Sequence, residues 1–205
     1  MKNKAILGFA GLAVLAGCAT YVAPTKEESM QTVKASFKER GPAKLDRLNQ
    51  TEIQAVCSDA QMTGKEVPKA QREALEKKTL ATIKFPADGK YLGDWKNGEK
   101  IAQEGRGKQY SDDPKGPVGG NCYACHQLAP QELSYGTIGP SLYHFGKSRG
   151  YGVEMQKYAY GKVWNAEAYS ACSNMPRFGH NAILSEQQVK DVVALLMDPN
   201  SPVNK

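Results

Sequence analysis

Cys122-Tyr123-Ala124-Cys125-His126 is the segment whose residue types and spacing could do chemistry. Two thiols three positions apart on one turn can each add to a vinyl group of the same porphyrin. The histidine that follows then presents an imidazole nitrogen to the iron. C-x-x-C alone also serves zinc sites and dithiol redox centres. A zinc site wants a second ligand pair at short spacing. A thioredoxin-like dithiol wants a preceding strand in a βαβ unit. Neither context is visible, so the pentapeptide predicts one covalently attached haem c, with Cys122 and Cys125 as attachment points and His126 as an iron ligand.

A haem iron held on one side needs its second axial position accounted for. The candidates are Met155, Met175, Met197, His144 and His180. Met197 falls in the last predicted helix and reads as core packing. Met155 falls in a predicted helix among polar residues. His144 sits between Tyr143 and Phe145 in what reads as a packed aromatic segment. Met175 lies in the irregular stretch Cys172-Ser173-Asn174-Met175-Pro176-Arg177-Phe178-Gly179, where a loop frees the side chain and Pro176 stiffens it. A lone methionine is more often packing than ligand. Given the haem, Met175 is the preferred partner of His126 and His180 the next choice. His/Met ligation fills both axial positions and favours the ferrous form, which suits electron transfer rather than oxygen or peroxide chemistry.

The five cysteines are Cys18, Cys57, Cys122, Cys125 and Cys172. Cys18 belongs to an export leader. Met1-Lys2-Asn3-Lys4 is a short basic start, and residues 5–16 are an apolar run of 12, short of the roughly 20 needed to span a bilayer. Leu15-Ala16-Gly17-Cys18 reads as a lipobox, with cleavage before Cys18 and a lipid on its thiol; ordinary cleavage after Ala19 is the competing reading. Both routes place the mature chain in the periplasm, with a possible lipid tether to a membrane in the first. Cys57 and Cys172 then remain in an oxidising compartment and are expected to pair, the alternative being one free reactive thiol.

The formal charge is +6, and Lys2 and Lys4 leave with the leader. Charges are mixed along the chain without a long basic block, so nucleic-acid binding is not indicated. Lys147, Arg149, Lys162 and Arg177 are candidates for docking a partner, though a solvated face explains them equally.

The elements that must position these groups are helical. Residues 1–17 are the leader, 18–90 a tether and helical N-terminal extension, and 91–205 a compact haem domain. Within the extension, residues 44–60 place Leu45, Leu48, Ile53 and Val56 at mixed helical spacing, and residues 68–80 open on Pro68 and continue in good helix formers. Phe85-Pro86-Ala87-Asp88-Gly89 is a break. In the haem domain, helices are predicted over 94–102 and 153–160. The last is the clearest: Ser185 caps it and Val189, Val192, Val193 and Leu196 recur at helical spacing. Residues 105–120, 130–151 and 170–184 read as loops with short helices. No strand pattern and no internal repeat is visible, and the fold class is all-α.

The order helix, C-x-x-C-H, Gly-Pro, methionine loop and terminal helix resembles class I cytochromes c. In such proteins a proline at about the spacing of Pro140 from His126 offers its carbonyl to the imidazole N–H; an ordinary turn accounts for Gly139-Pro140 as well. More narrowly, the haem domain resembles the SoxX family, the small subunit of the SoxAX cytochrome of bacterial thiosulfate oxidation. The segments that carry this are Gly120-Asn121-Cys122-Tyr123-Ala124-Cys125-His126, Gly136-Thr137-Ile138-Gly139-Pro140-Ser141-Leu142, Asn174-Met175-Pro176-Arg177-Phe178-Gly179, residues 184–196, and Tyr91-Leu92-Gly93-Asp94-Trp95. The resemblance implies a heterodimer with a SoxA-like haem subunit. The pair would join thiosulfate oxidatively to a cysteine of a SoxY-like carrier protein, with electrons leaving to a soluble cytochrome c. The sulfur–sulfur bond would form on the partner, as in an L-cysteine S-thiosulfotransferase complex, so no catalytic residue is expected here. Two other readings stay open: a free monohaem shuttle, against which the long extension argues, and a haem enzyme or sensor with an open axial position.

Overall fold

Helix starts in this chain are written in short side chains. A computed structural model describes residues 22–205; the expected leader, the lipobox and Cys18 lie outside the described residues. The chain divides into a unit ending at Phe37 and a unit spanning Lys38–Lys205. The first carries α1 (Lys26–Ser36), opened by a capping box in which Thr25 Oγ1 accepts from the Glu28 amide and the Thr25 amide donates to the Glu28 carboxylate. None of its residues is buried.

The second unit contains six further α-helices: α2 (Glu52–Thr63), α3 (Lys69–Leu80), α4 (Trp95–Gln103), α5 (Phe145–Arg149), α6 (Val153–Trp164) and α7 (Glu186–Met197). The residues expected as one helical stretch over 44–60 split into a 3-10 turn, Leu45–Leu48, and α2. Thr51 and Gln54 form a capping box that starts a new helix there. Gly64 closes α2 in the left-handed region at φ 66°, where a side chain would be strained. The nearest approach to a strand among the described residues is the isolated bridge between Arg40 and Ala43.

The main core lies where α4, α6 and α7 meet. Ile101 and Ala102 of α4, Tyr160, Val163 and Trp164 of α6, and Val189, Val192, Val193 and Leu196 of α7 are buried together. Ser185 caps α7, reciprocated by Gln188. Helices α4 and α7 approach so closely at Gly98 that a Cβ there would lie 2.1 Å from the Asp191 carbonyl oxygen. Asp191, itself buried, accepts from the Asp94 amide at 2.9 Å and so ties the start of α4 to α7. Helix α6 runs on to Trp164, one turn beyond its sequence-predicted end, because its last turn is buried: Gly161, Val163 and Trp164 all face the core.

A smaller cluster joins the helices that precede the haem motif to the chain that follows it. Ile53 of α2 and Leu75 of α3 pack with Ala171, with Val56 and Cys57 alongside. The expected pairing is present: Cys57 and Cys172 are joined, with Cα atoms 5.5 Å apart and a sequence separation of 115. The Ala171 amide donates to Glu76 of α3 at 2.9 Å. Residues 170–173, which carry no regular structure of their own, are thereby anchored to α2 and α3.

Candidate functional site: a haem attachment motif and the loop facing it

The motif is held by its backbone. Cys122–Ala124 form a single 3-10 turn after Asn121, which sits in the left-handed region at φ 45°. The amides of Cys125 and His126 both donate to the Cys122 carbonyl, at 3.1 and 2.9 Å. Tyr123 points inward and is buried, so Cys122 and Cys125 flank it half-exposed. Among the described residues these two are the free cysteines. The partly buried Cys122 packs against the main core, and the loss of water there pushes its thiol up to about 12, which keeps it protonated near neutrality.

Residues 136–140 wrap back onto the motif. The Gly136 amide donates to the Tyr123 carbonyl at 2.8 Å, and the Gly139 amide donates to the Cys125 carbonyl at 2.8 Å. His126 Nδ1 then lies 2.7 Å from the Pro140 carbonyl oxygen. A carbonyl only accepts, so the proton resides on Nδ1 and Nε2 is left with its lone pair available to a metal. Gly139 makes the approach possible: a Cβ there would sit 2.1 Å from His126 Cε1. Between these anchors Ile138 is 81% exposed, an apolar side chain standing in solvent beside the motif.

These residues fit a haem c on the chemistry of the donor set and the shape around it. Two unpaired thiols share one turn with an imidazole whose tautomer is fixed for coordination, and an apolar side chain waits to be covered. Among the described residues no group of three or more His, Cys, Asp or Glu converges as a metal site, which leaves the zinc reading of the cysteine pair without further ligands.

The opposite loop is brought near through Phe178. A Cβ on Gly120 would lie 3.1 Å from Cys122 Sγ and 3.5 Å from Phe178 Cε1, so the start of the motif and the end of the methionine segment share one spot. Met175 is half-buried and packs, as Cys122 does, against the main core. It also lines a polar cleft of about 940 Å³ that runs along α2 and residues 170–177; Cys122, Cys125 and His126 do not line that cleft. The other axial candidates are engaged elsewhere or outward. Met197 is buried at 1% exposure and Met155 packs on the core. His144 stacks on Tyr143 and its Nε2 lies 2.6 Å from the Lys205 carbonyl oxygen. His180 is largely exposed, and the partial loss of water around its ring, then the nearby Arg177 charge, holds it below the usual histidine range.

One expectation is corrected. Arg177 is not an exposed docking residue: its side chain is 11% exposed and its Nη1 lies 3.5 Å from Glu167 Oε2, whose side chain is 7% exposed. Sequence reasoning missed Glu167 altogether, since a glutamate between alanines reads as a solvated position. Lys162 is half-buried, with its ammonium 6.0 Å from the centre of the Tyr169 ring, while Lys147 and Arg149 are exposed.

An all-helical domain closing around a C-x-x-C-H turn and a proline-fixed imidazole defines a c-type cytochrome of class I. The family model for cytochrome c matches residues 96–198, and the chain belongs to that family. A cytochrome c domain carries covalently bound haem and implies electron transfer. Over the whole of both chains it is 33% identical, across 213 aligned positions, to a protein of Aquifex aeolicus (strain VF5) described as an uncharacterized lipoprotein. Among solved structures it is similar to a chain of the SoxXA crystal structure from P. pantotrophus, at 26% identity, covering 52% of this chain and 82% of that one with a TM-score of 0.38. No described helix is long and apolar enough to cross a membrane.

Proposed function

We propose that this chain is a monohaem electron-transfer cytochrome, the SoxX-like partner of a SoxA-like haem subunit. The observation that carries the electron-transfer reading is the pairing of His126 Nδ1 with the Pro140 carbonyl beside two free thiols on one turn. Cys122 and Cys125 would hold the porphyrin, and His126 Nε2 and Met175 would ligate its iron. When bound, the haem supplies a one-electron iron couple. The residues do the rest. Pro140 fixes the ring and its tautomer and raises its basicity. Ile138, Phe178 and the α4–α7 core keep water from the cofactor and its dielectric low, which together with a thioether ligand supports a high potential.

The narrower reading rests on the segments around 120–126, 136–142 and 174–179, whose sequences resemble SoxX. In it the chain receives electrons as its partner conjugates thiosulfate to a SoxY-like carrier cysteine, and passes them to a soluble cytochrome c; the sulfur–sulfur bond of the conjugate forms on the partner. Residues 1–17 are the signal, 18–90 the tether and extension, and 91–205 the haem domain. Export to the periplasm with a lipid on Cys18 is supported by Leu15-Ala16-Gly17-Cys18 and by the lipoprotein description of the Aquifex aeolicus relative. The test is purification of the mature protein from cells that produce it with its neighbours. The proposal expects co-elution with a second haem-bearing subunit and thiosulfate-dependent reduction of this haem in the pair. A monomer that no thiosulfate-oxidising partner reduces would instead be a free shuttle.

A further inference from the structure

Residues 173–176 hang between two clamps. On the N-terminal side, Cys172 is bonded to Cys57 of α2 and the Ala171 amide is held by Glu76 of α3. On the C-terminal side, the amides of Gly179 and His180 both donate to the Trp164 carbonyl at the end of α6, each at 3.1 Å. Between them the Met175 amide has a local bond to Ser173 Oγ at 3.2 Å. The side chain that fastens this stretch two residues after Met175 is Arg177, and its partner is Glu167.

Glu167 sits in the 3-10 turn Ala166–Ala168 that follows α6. The turn is itself rigid: Asn165, 1% exposed, caps it by accepting from the Glu167 amide at 3.2 Å. The Glu167 Oε2 atom has no hydrogen-bond partner, so the Arg177 guanidinium at 3.5 Å is its compensation among the described residues. A buried ion pair gives little net stability over an apolar pair, yet losing one member leaves an uncompensated buried charge that must find water. Glu167 and Arg177 both line the polar cleft along residues 170–177, so an Arg177 that loses Glu167 can turn into that cleft, and the Met175 segment is then no longer tied to the turn after α6.

We propose that Glu167 is a positioning residue that holds the Met175 segment against the haem by fixing Arg177. The proposal rests on Met175 being the axial ligand. Its effect is on how often that segment opens, not on the iron directly.

The experiment uses the ferric holoprotein and cyanide, which binds only after the methionine leaves. First, the methionine–iron charge-transfer band is recorded in the wild type. Without it, the assignment of Met175 on which the proposal rests has failed. With the band present, Glu167→Gln is expected to bind cyanide at least about tenfold faster than wild type, because Arg177 without Glu167 no longer anchors the segment that carries Met175. Glu167→Asp should recover part of the slow rate. Val203→Ala, a buried position outside the segment, serves as a control for general destabilisation and should leave the rate within about twofold. If Glu167→Gln does not fold, the double variant Glu167→Gln/Arg177→Met removes both charges and should still react faster, having lost the anchor. Cyanide rates in the foldable variant that match wild type, or a rise shared equally by Val203→Ala, overturn the proposal.

Discussion

Gly139→Ala puts a methyl group into the His126 ring. The new Cβ would lie 2.1 Å from Cε1, 2.5 Å from Nδ1 and 2.7 Å from Nε2, whereas ordinary contact begins near 3.4 Å. Ring or segment must therefore retreat by about 1.3 Å. Metal–ligand distances are held to within about 0.2 Å, so a shift of that size is not absorbed by the site. Moving the segment instead breaks the Gly139 amide bond to Cys125 and disturbs the 2.7 Å contact between Nδ1 and the Pro140 carbonyl. Overpacking of this kind costs about 1–3 kcal/mol, and in a unit of this size that lowers Tm by roughly 2–12 °C. The holoprotein is purified and its visible spectrum and thermal melt recorded. The expected variant shows reduced haem incorporation, a high-spin component in the ferric spectrum and a lower Tm. A Gly139→Ala protein with a wild-type low-spin spectrum and an unchanged Tm would refute the claim that this glycine makes room for the ligating imidazole.

Cys57→Ser opens a loop of 115 positions and should cost about 4–5 kcal/mol in the chain-entropy account; thiol titration of the mature, denatured and unreduced wild type should find no free thiol, and a strong signal would contradict the pairing. Gly98→Ala drives a methyl into the Asp191 carbonyl at 2.1 Å and separates α4 from α7. It should destabilise by at least about 1–3 kcal/mol, read from denaturant midpoints, while the folded fraction keeps a low-spin spectrum because Gly98 does not touch His126.

Much of this arrangement could be read in the sequence because it is local. The valine and leucine spacing after Ser185 marks α7, and Asp94 marks the start of α4, since an apolar stripe and a capping side chain act within a few residues. C-x-x-C-H is likewise contained in one turn. The Cys57–Cys172 link was legible by elimination among five cysteines. What escaped depends on residues far apart in sequence. The small core of Ile53, Leu75 and Ala171 takes one residue from each of three segments far apart in sequence, so no local pattern announces that they meet. The extra turn of α6 is helical because Trp164 is buried against Gly179 and its neighbours, a tertiary effect. The Glu167–Arg177 pair was invisible because charged residues read as solvated until a partner is placed beside them.

The ferric absorption and magnetic circular dichroism spectra of the holoprotein, taken for wild type and Met175→Ala side by side, bear most directly on the His126/Met175 electron-transfer site. The wild type should be low-spin with a methionine–iron charge-transfer band, and Met175→Ala should lose the band, bind cyanide or carbon monoxide readily and show a lower potential. A wild type that is high-spin from the start, or a Met175→Ala variant with an unchanged spectrum and potential, would contradict it.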